Sequence, residues 1–276
     1  MAGSSAVLQG SSGESLARLT EALGSTLDGG ADGAAVGESL FAAADVLRDQ
    51  PALRRAVTDP STQAEAKSAL ATGVFGAHLD KAATEIIGQA AGMRWASSLD
   101  LATAFERLGV VALVKSADAS GEGDRLEDEL FGFGRLVADN PSLRDALSDP
   151  ARSVSDKRGL VRSLLEGKVS SGALRLAERA VSGVHLTVAR AVEEYSKVAA
   201  ESRNRLVALV RVATPLSDAE QQRLAGALAG QYDRPVHLNV VVDPSVLGGI
   251  RVEIGDQVID GTISSRLDDA RRRLVG

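Results

Sequence analysis

The side chains that most often do chemistry are few in this chain, and none stands at a spacing that builds a reactive site. The three histidines, His78, His185 and His237, lie far apart in sequence and have no second metal ligand at helical spacing. The chain has no cysteine, which excludes disulfides, thiolate metal sites and thiol redox chemistry. We therefore predict no catalytic residue, no cofactor and no metal.

Motifs for phosphate and acid/base chemistry are incomplete. Gly167-Lys168 would need a glycine at 162 and a hydroxyl residue at 169 to form a phosphate-binding loop, but the chain has Arg162 and Val169 there. The carboxylates of Glu127-Asp128-Glu129 and of Glu193-Glu194 fall on helix faces that are predicted to be polar, where solvated charge is the usual state. These patterns predict a protein that works by binding other molecules.

Composition narrows the class of partner. The chain has 276 residues, 44% of them hydrophobic and 25% charged, which is typical of a soluble globular protein with room for two domains. A net charge of -6 argues against general nucleic-acid binding, which needs an excess of lysine and arginine. The longest apolar run, 110–114, is far shorter than the ~20 residues of a membrane-spanning helix. Residues 1–13 lack the basic start and apolar core of a secretory signal.

Apolar residues at helical spacing predict an amino-terminal helical bundle. The predicted helices include 14–27, 39–47, 81–91 and 95–117, and later stripes of the same kind reach Ala199. The connections between them are short, which favours antiparallel packing. Each stripe needs a partner surface, because an isolated amphipathic helix leaves its apolar face in water.

The helical region contains an internal repeat. Residues 40–60 and 130–150 are identical at nine of 21 positions without a gap when the sequence is shifted by 90 residues. Lys67/Lys157 and Leu70/Leu160 continue the register. We interpret this as a duplicated helical unit, in which the helix at 95–117 ends the first copy and begins the second.

After Ser202 the apolar pattern changes to that of a small α/β domain. Strands are predicted at 206–212, 237–242, 250–254 and 257–259, and helices from a capping box at Ser217 and Glu220 to about 231 and at 264–274. The predicted fold is mainly α: an antiparallel helical bundle with a duplicated unit, then a small α/β domain with a short mixed sheet. The predicted domains are 1–100, an added helical unit; 101–202, the second bundle; and 203–276, the α/β domain.

The carboxy-terminal residues carry a family resemblance. Their order is a strand, Asp243-Pro244-Ser245, Val246-Leu247, Gly248-Gly249, a second strand, Gly255-Asp256, Val258-Ile259-Asp260-Gly261 and Ser265-Arg266-Leu267. This order resembles the delta subunits of F-type ATP synthases, whose mitochondrial counterpart is the oligomycin sensitivity conferral protein. Thr262 stands where serine is more usual, and both residues carry a hydroxyl.

The resemblance implies a non-catalytic subunit of the peripheral stalk, or stator. Such a subunit links the amino-terminal helices of the alpha subunits in the catalytic head to membrane-anchored b-type stalk helices, so that rotor torque drives ATP synthesis. It implies one copy per complex, located peripherally on the cytoplasmic face of the cell membrane. It implies neither nucleic-acid binding nor direct insertion into the membrane.

The resemblance also implies two binding sites. The head-binding groove is expected between the first and fifth helices of the matching unit, at Leu101, Phe105, Leu108, Val111, Leu174, Ala177 and Val181. The stalk-binding site is expected at Val246, Leu247, Gly248, Gly249 and Ile250. Two other interpretations remain open, since the seven groove residues suit plain bundle core equally well and the glycines could serve only to shape the fold. Either helical unit could hold the groove.

Two other classes of function remain open, a free-standing adaptor and an enzyme. A free-standing helical adaptor would have the same bundle but would not copurify with ATP synthase subunits. An enzyme that uses the α/β domain would need a deep pocket with converging polar or titratable groups.

Overall fold

The computed structural model describes residues 8–182, 184–244, 246, 248–255 and 257–260. This part of the chain contains twelve helices and four strands. It forms two compact units that divide between Val198 and Ala199, a helical unit and an α/β unit.

The helical unit begins with six helices, and local capping explains their ends. They are α1 (Gly10–Asp28), α2 (Gly33–Asp49), α3 (Pro51–Thr58), α4 (Ala64–Phe75), α5 (Lys81–Gly92) and α6 (Ser98–Ala119). Helix α2 starts six residues before the predicted position, because the Asp32 side chain accepts hydrogen bonds from the backbone N–H groups of Ala34 and Ala35. Pro51 stands in the first turn of α3, where its missing N–H costs nothing.

Five more helices repeat the first set. They are α7 (Gly123–Asp139), α8 (Pro141–Ser148), α9 (Val154–Leu165), α10 (Ser171–Ala180) and α11 (Val188–Ser202). The bounds of α7, α8 and α9 equal those of α2, α3 and α4 plus 90 residues at both ends. Packing repeats as well, since α5 contacts α1, α2 and α4 while α10 contacts α6, α7 and α9. We call α1–α6 the first copy and α6–α11 the second copy, so α6 belongs to both.

The α/β unit is a four-stranded mixed sheet with one described helix between its first two strands. Its elements are β1 (Leu206–Val212), α12 (Asp218–Tyr232), β2 (Val236–Val242), β3 (Ile250–Ile254) and β4 (Gln257–Asp260), with strand order β2-β1-β3-β4. Strand β1 pairs in parallel with β2 and antiparallel with β3. The predicted capping box at Ser217 and Glu220 opens α12. The helix predicted at 264–274 lies outside the described residues.

The two units have separate cores. The sheet buries Ala208, Val210, Val212, Val252 and Ile254 together with Leu228 of α12. The helical unit buries apolar side chains from every helix, most densely along α6. None of the described helices is long and apolar enough to cross a membrane.

Candidate functional site

Helix α6 is the centre of the helical unit. A capping box at Ser97 and Asp100 fixes its start, and the Ser12 hydroxyl of α1 donates a hydrogen bond of 2.6 Å to the Asp100 carboxylate. The helix packs against α1, α2, α3, α7 and α10, which come from both copies. Its side chains are therefore buried on nearly every face.

Small residues let α2 cross α6 at close range. A Cβ atom at Gly37 of α2 would lie 3.0 Å from the carbonyl oxygen of Gly109 in α6, and one at Gly109 would lie 2.5 Å from the ring of Phe41. A Cβ at Gly33 would lie 2.8 Å from the carbonyl oxygen of Ala112. Glycine at these positions allows the two backbones to approach, and the Phe41 ring then packs over the α6 backbone.

A buried ion cluster joins α2 to α10 beside this crossing. Arg179 of α10 donates hydrogen bonds of 2.7 and 2.8 Å to the two carboxylate oxygens of Asp45 in α2, and its Nε donates one of 2.9 Å to Glu106 of α6. The Phe41 ring centroid lies 4.7 Å from the guanidinium carbon of Arg179. Arg179 and Glu106 are only 4% and 5% exposed, so their charges depend on each other for compensation.

Two further side chains complete the hydrogen bonding of Glu106. The Tyr195 hydroxyl of α11 donates a bond of 2.6 Å to one carboxylate oxygen, and Arg48 of α2 donates one of 3.2 Å to the other. A second ion pair, between Arg175 of α10 and Glu38 of α2, lies 3.3 Å apart at the surface. The cluster thus connects α2, α6, α10 and α11 through one carboxylate and one guanidinium.

The cluster keeps its charges at neutral pH. Burial raises the pKa of Glu106, but hydrogen bonds and charge from Arg179, with Tyr195 and Arg48, outweigh burial and hold that pKa below its usual value. Burial and then the neighbouring Glu106 carboxylate raise the pKa of Tyr195. Burial lowers the pKa of His185, whose ring packs edge-on against Tyr195. Glu106 is ionised and Tyr195 is a neutral donor, which makes the cluster a structural tie.

The residues predicted for the head-binding groove lie mostly inside the helical unit. Leu101, Phe105, Leu108 and Val111 of α6 are buried, as are Ala177 of α10 and Val181 just after it. Leu174 is half-buried. Helix α2 contacts α6 through its glycines and is linked to α10 by the ion pairs of Arg179 and Arg175. The burial of most of the seven residues fits the alternative that they are bundle core.

Sequence reasoning missed the members of the ion cluster. Glu106 stands within the apolar stretch of α6. This position could have indicated the cluster, because an ionised residue in an apolar helix needs buried partners. The prediction that the carboxylates of 127–129 face solvent is wrong for Glu127, which is 4% exposed. Glu129 accepts a 2.7 Å hydrogen bond from the backbone N–H of Ser170, just before α10.

The predicted stalk-binding residues follow the end of β2 in the α/β unit. Val212 pairs with Val242 on one side and with Ile250 on the other, so these three residues stand at one level of the sheet. Gly248 and Gly249 have φ of 71° and 83°, a conformation that side chains disfavour. Val246 is half-buried, Gly249 is exposed, and Leu247 lies outside the described residues. The glycine pair turns the chain from the β2 edge into β3.

Within the described residues, no group of three or more histidine, aspartate or glutamate side chains is arranged to hold a metal ion. The described geometry is that of a scaffold. It offers ion pairs, close helix crossings and half-buried apolar positions, which serve packing and association.

Comparison with known proteins decides the family. The model of the family described as "ATP synthase delta (OSCP) subunit" matches residues 110–274, more than half of the chain. The chain belongs to the ATP synthase delta (OSCP) family. It is 53% identical over 273 residues to the ATP synthase subunit delta of Nocardioides sp., covering 98% of each chain. It is 47% identical over 248 residues to that of Kineococcus radiotolerans, covering 90% of each chain.

A third delta subunit, from Streptomyces avermitilis, is 43% identical over 268 residues, which is 96% of this chain and 98% of the relative. These lengths include the first copy, so the added helices are part of the relatives as well. A chain of the Toxoplasma gondii mitochondrial ATP synthase hexamer has 18% identity and a TM-score of 0.34 over 60% of this chain and 95% of its own, too weak a likeness to support a conclusion.

Family membership gives the function at the level of the complex. This delta-family chain is a structural, non-catalytic stalk subunit of an F-type ATP synthase. The comparisons give no support to a free-standing adaptor outside the synthase.

Proposed function

We propose that this delta subunit is a stator link in which the helical unit holds the catalytic head and the α/β unit holds the stalk. The head partners would be the amino-terminal helices of the alpha subunits, and the stalk partners would be b-type helices anchored in the membrane. One copy per complex would lie on the cytoplasmic face of the cell membrane. The subunit would resist rotation of the head while the rotor turns.

The observation that carries this proposal is the ion cluster of Glu106, Arg179, Asp45 and Tyr195, in which Glu106, Arg179 and Tyr195 are buried. A stator must transmit torque without yielding, and a cluster that ties four helices resists sliding between them. Separating α6 from α10 would leave the buried charges of Glu106 and Arg179 without each other, which is strongly unfavourable, and moving α2 or α11 would remove hydrogen bonds to that pair.

The contact residues remain a proposal in both units. For the head, the α6–α10 groove with Leu101, Phe105, Leu108, Val111, Leu174, Ala177 and Val181 is one candidate. For the stalk, the candidates are Val246, Leu247, Gly248, Gly249 and Ile250, supported by the half-exposed apolar positions beside the end of β2. An amphipathic partner helix would bury its apolar stripe at either site.

Removal of the subunit tests the proposal. Membranes from cells that lack this chain are expected to release the catalytic head on washing, and ATP synthesis is expected to stop while ATP hydrolysis by the released head persists. Restoring the chain should restore attachment and synthesis. Val246→Asp should release the stalk, because a charge replaces a half-buried apolar contact, whereas the exposed control Gln222→Asp on α12 should not. A complete, coupled synthase without this chain would contradict the proposal.

A further inference from the structure

His185 packs against the ion cluster with a buried ring nitrogen. Its ring meets the ring of Tyr195 edge-on, with the two centroids 5.5 Å apart and the two planes at 80°. The Nε2 atom of His185 is buried, and no described residue offers it a hydrogen-bond partner. Tyr195, which is neutral, donates its hydroxyl to Glu106. His185 is therefore one side chain away from the carboxylate at the centre of the cluster.

The His185 ring anchors residues 184–187, which precede α11. Leu186 and Thr187 are exposed, Leu186 completely so, and Val184 is half-buried. Two of the four side chains thus contribute little to holding this segment in place. The position of the segment depends mainly on the contact between the His185 ring and the cluster, which we call the docked position of the ring.

The docked position suits the neutral imidazole and excludes the cation. Both ring nitrogens carry a hydrogen in the imidazolium, so the buried Nε2 would have to donate without a described acceptor. Glu106 cannot supply that acceptor, because its two oxygens already receive hydrogen bonds from three side chains of the cluster. A charged donor that is buried without an acceptor is strongly unfavourable.

Charged groups on four helices act on His185. Glu106 of α6 and Glu194 of α11 favour the protonated ring, whereas Arg48 of α2 and Arg179 of α10 oppose it. Burial is the largest influence and also opposes protonation, so the pKa of His185 lies below its ordinary value of 6.5. The neutral, docked ring is the state of the molecule at pH 7.

We propose that His185 is a pH-sensitive latch: when its ring takes up a proton, the ring leaves Tyr195 and residues 184–187 detach from the ion cluster. The hydrogen bond between Tyr195 and Glu106 is then opened to water, and the first turns of α11 loosen. Ionised Glu106 still pairs with Arg179, so the rest of the cluster remains. The latch is a property of the isolated chain and does not depend on the stator function.

The pH range of the latch follows from linkage between protonation and structure. A released histidine takes up its proton near pH 6.5, and the docked ring does so only in more acidic solution. The stability that the neutral ring contributes is therefore complete above pH 6.5 and is lost as the pH falls toward the lower pKa of the docked ring. Over this range, each unit of pH shifts the balance from docked to released ring by up to about tenfold.

Titration of the histidine rings by NMR in the isolated full-length chain tests the latch. The chain has three histidines, and substitution of each one in turn assigns its signals. We expect the His185 ring to titrate below pH 6.5 and the ring signals of Tyr195 to shift with the same midpoint. Titration of His185 at or above pH 6.5 would overturn the proposal, because the docked position would then accept the cation. A Tyr195 ring that does not respond would overturn it as well.

Hydrogen exchange measures the release itself. Exchange of the backbone amides of residues 189–195, corrected for the intrinsic effect of pH, should rise by up to about tenfold in the wild type between pH 6.5 and 5.5. Glu106 does not interfere, because its pKa lies below 4.5. His185→Phe keeps an aromatic ring against Tyr195 and cannot take up a proton, so its exchange should stay constant over this range.

The matched control is His78→Gln, which changes an exposed histidine and should behave like the wild type. An equal rise of exchange in His185→Phe and in the wild type would overturn the latch. If His185→Phe does not fold, the wild-type titration of His185 and Tyr195 still decides between a latch and a ring that accepts its proton in place.

Discussion

At the scale of single residues, Glu106 is the acceptor that links four helices of the helical unit. Its carboxylate receives hydrogen bonds from Arg179, Arg48 and Tyr195, which come from three other helices. A buried ion pair adds little net stability compared with a well-packed apolar core, but removing one partner is costly because the other charge stays buried. The role of this cluster is therefore to specify which helices meet.

Replacing Glu106 with glutamine should destabilise the protein by about 3 kcal/mol at neutral pH, the lower end of the range for a broken buried pair, since Asp45 still compensates Arg179. Denaturation by urea, followed by circular dichroism, measures the change. The matched control is Asp139→Asn, which removes an exposed pair with Arg135 and should change stability by less than about 1 kcal/mol. Equal effects of the two variants would contradict a structural role for the cluster.

The same variant predicts a pH dependence. The pKa of Glu106 in the folded protein lies below its ordinary value of 4.5, so ionised Glu106 stabilises the fold above that pH. This stability is lost as the pH falls through the lower folded pKa. The difference in unfolding free energy between wild type and Glu106→Gln should be constant from pH 5 to 7 and should shrink in more acidic solution. If the difference in unfolding free energy grew on acidification, the pKa of Glu106 would be raised by folding and not lowered.

At the scale of helices, the α2–α6 crossing depends on glycines that face another backbone. Gly109 lies beneath the Phe41 ring, whereas Gly132 of α7 has open space where a Cβ would stand. The same substitution therefore has opposite consequences at the two sites. At Gly109 the ring must move, and at Gly132 the new methyl only stiffens the unfolded chain and favours helix.

Gly109→Ala should destabilise the protein by about 1–3 kcal/mol through overpacking. Gly132→Ala should stabilise it by about 0.5–1 kcal/mol, because alanine favours a helix interior over glycine. Thermal denaturation of the two variants beside wild type measures both effects. Stabilisation by both would mean that the crossing is looser than the contact between Gly109 and Phe41 indicates.

Much of this element structure could be predicted from the sequence, and the limits have physical causes. Apolar periodicity and the sequence repeat at a spacing of 90 residues were enough to predict the repeated helices. The capping box of Ser217 and Glu220 predicted the start of α12. Apolar periodicity predicts which face of a helix is buried, but it does not identify the element that packs on that face. The contact of α2 with α10 through Arg179 was therefore not predicted. Gly33 and Gly37 lie four residues apart on one face of α2, and this spacing could have indicated that α2 crosses another helix at close range. The seven groove residues remain a prediction.

At the scale of the whole molecule, the two copies of the helical unit interlock around α6. The first copy supplies α2, and the second supplies α10 and α11, to one buried cluster. The chain is therefore expected to present the two copies to a partner as one body.

A disulfide between α2 and α6 tests whether the α6–α10 groove ever opens. A Cβ at Gly37 would stand 3.5 Å from that of Ala112, within the range for a disulfide, and the chain has no competing cysteine. Because the same Cβ would lie 3.0 Å from the carbonyl oxygen of Gly109, circular dichroism must first show that the variant folds. Oxidised Gly37→Cys with Ala112→Cys should bind the amino-terminal peptide of the alpha subunit as tightly as its reduced form if the groove is accessible with α2 fixed on α6. The reduced protein is the matched control. Loss of binding on oxidation, restored by reductant, would show that the partner displaces α2.

Because α6 belongs to both copies, the first copy cannot be lost in evolution without affecting the second. Deleting the first copy would remove α2 from the glycine face of α6 and take Asp45 from Arg179, so the shortened chain would begin with an exposed core and would have Glu106 as the carboxylate that compensates Arg179. A duplicated segment that lay beside the original could be lost again without harm, whereas one that borrows a helix from the original is retained. Selection for a stable fold is therefore enough to retain the first copy in the longer delta subunit.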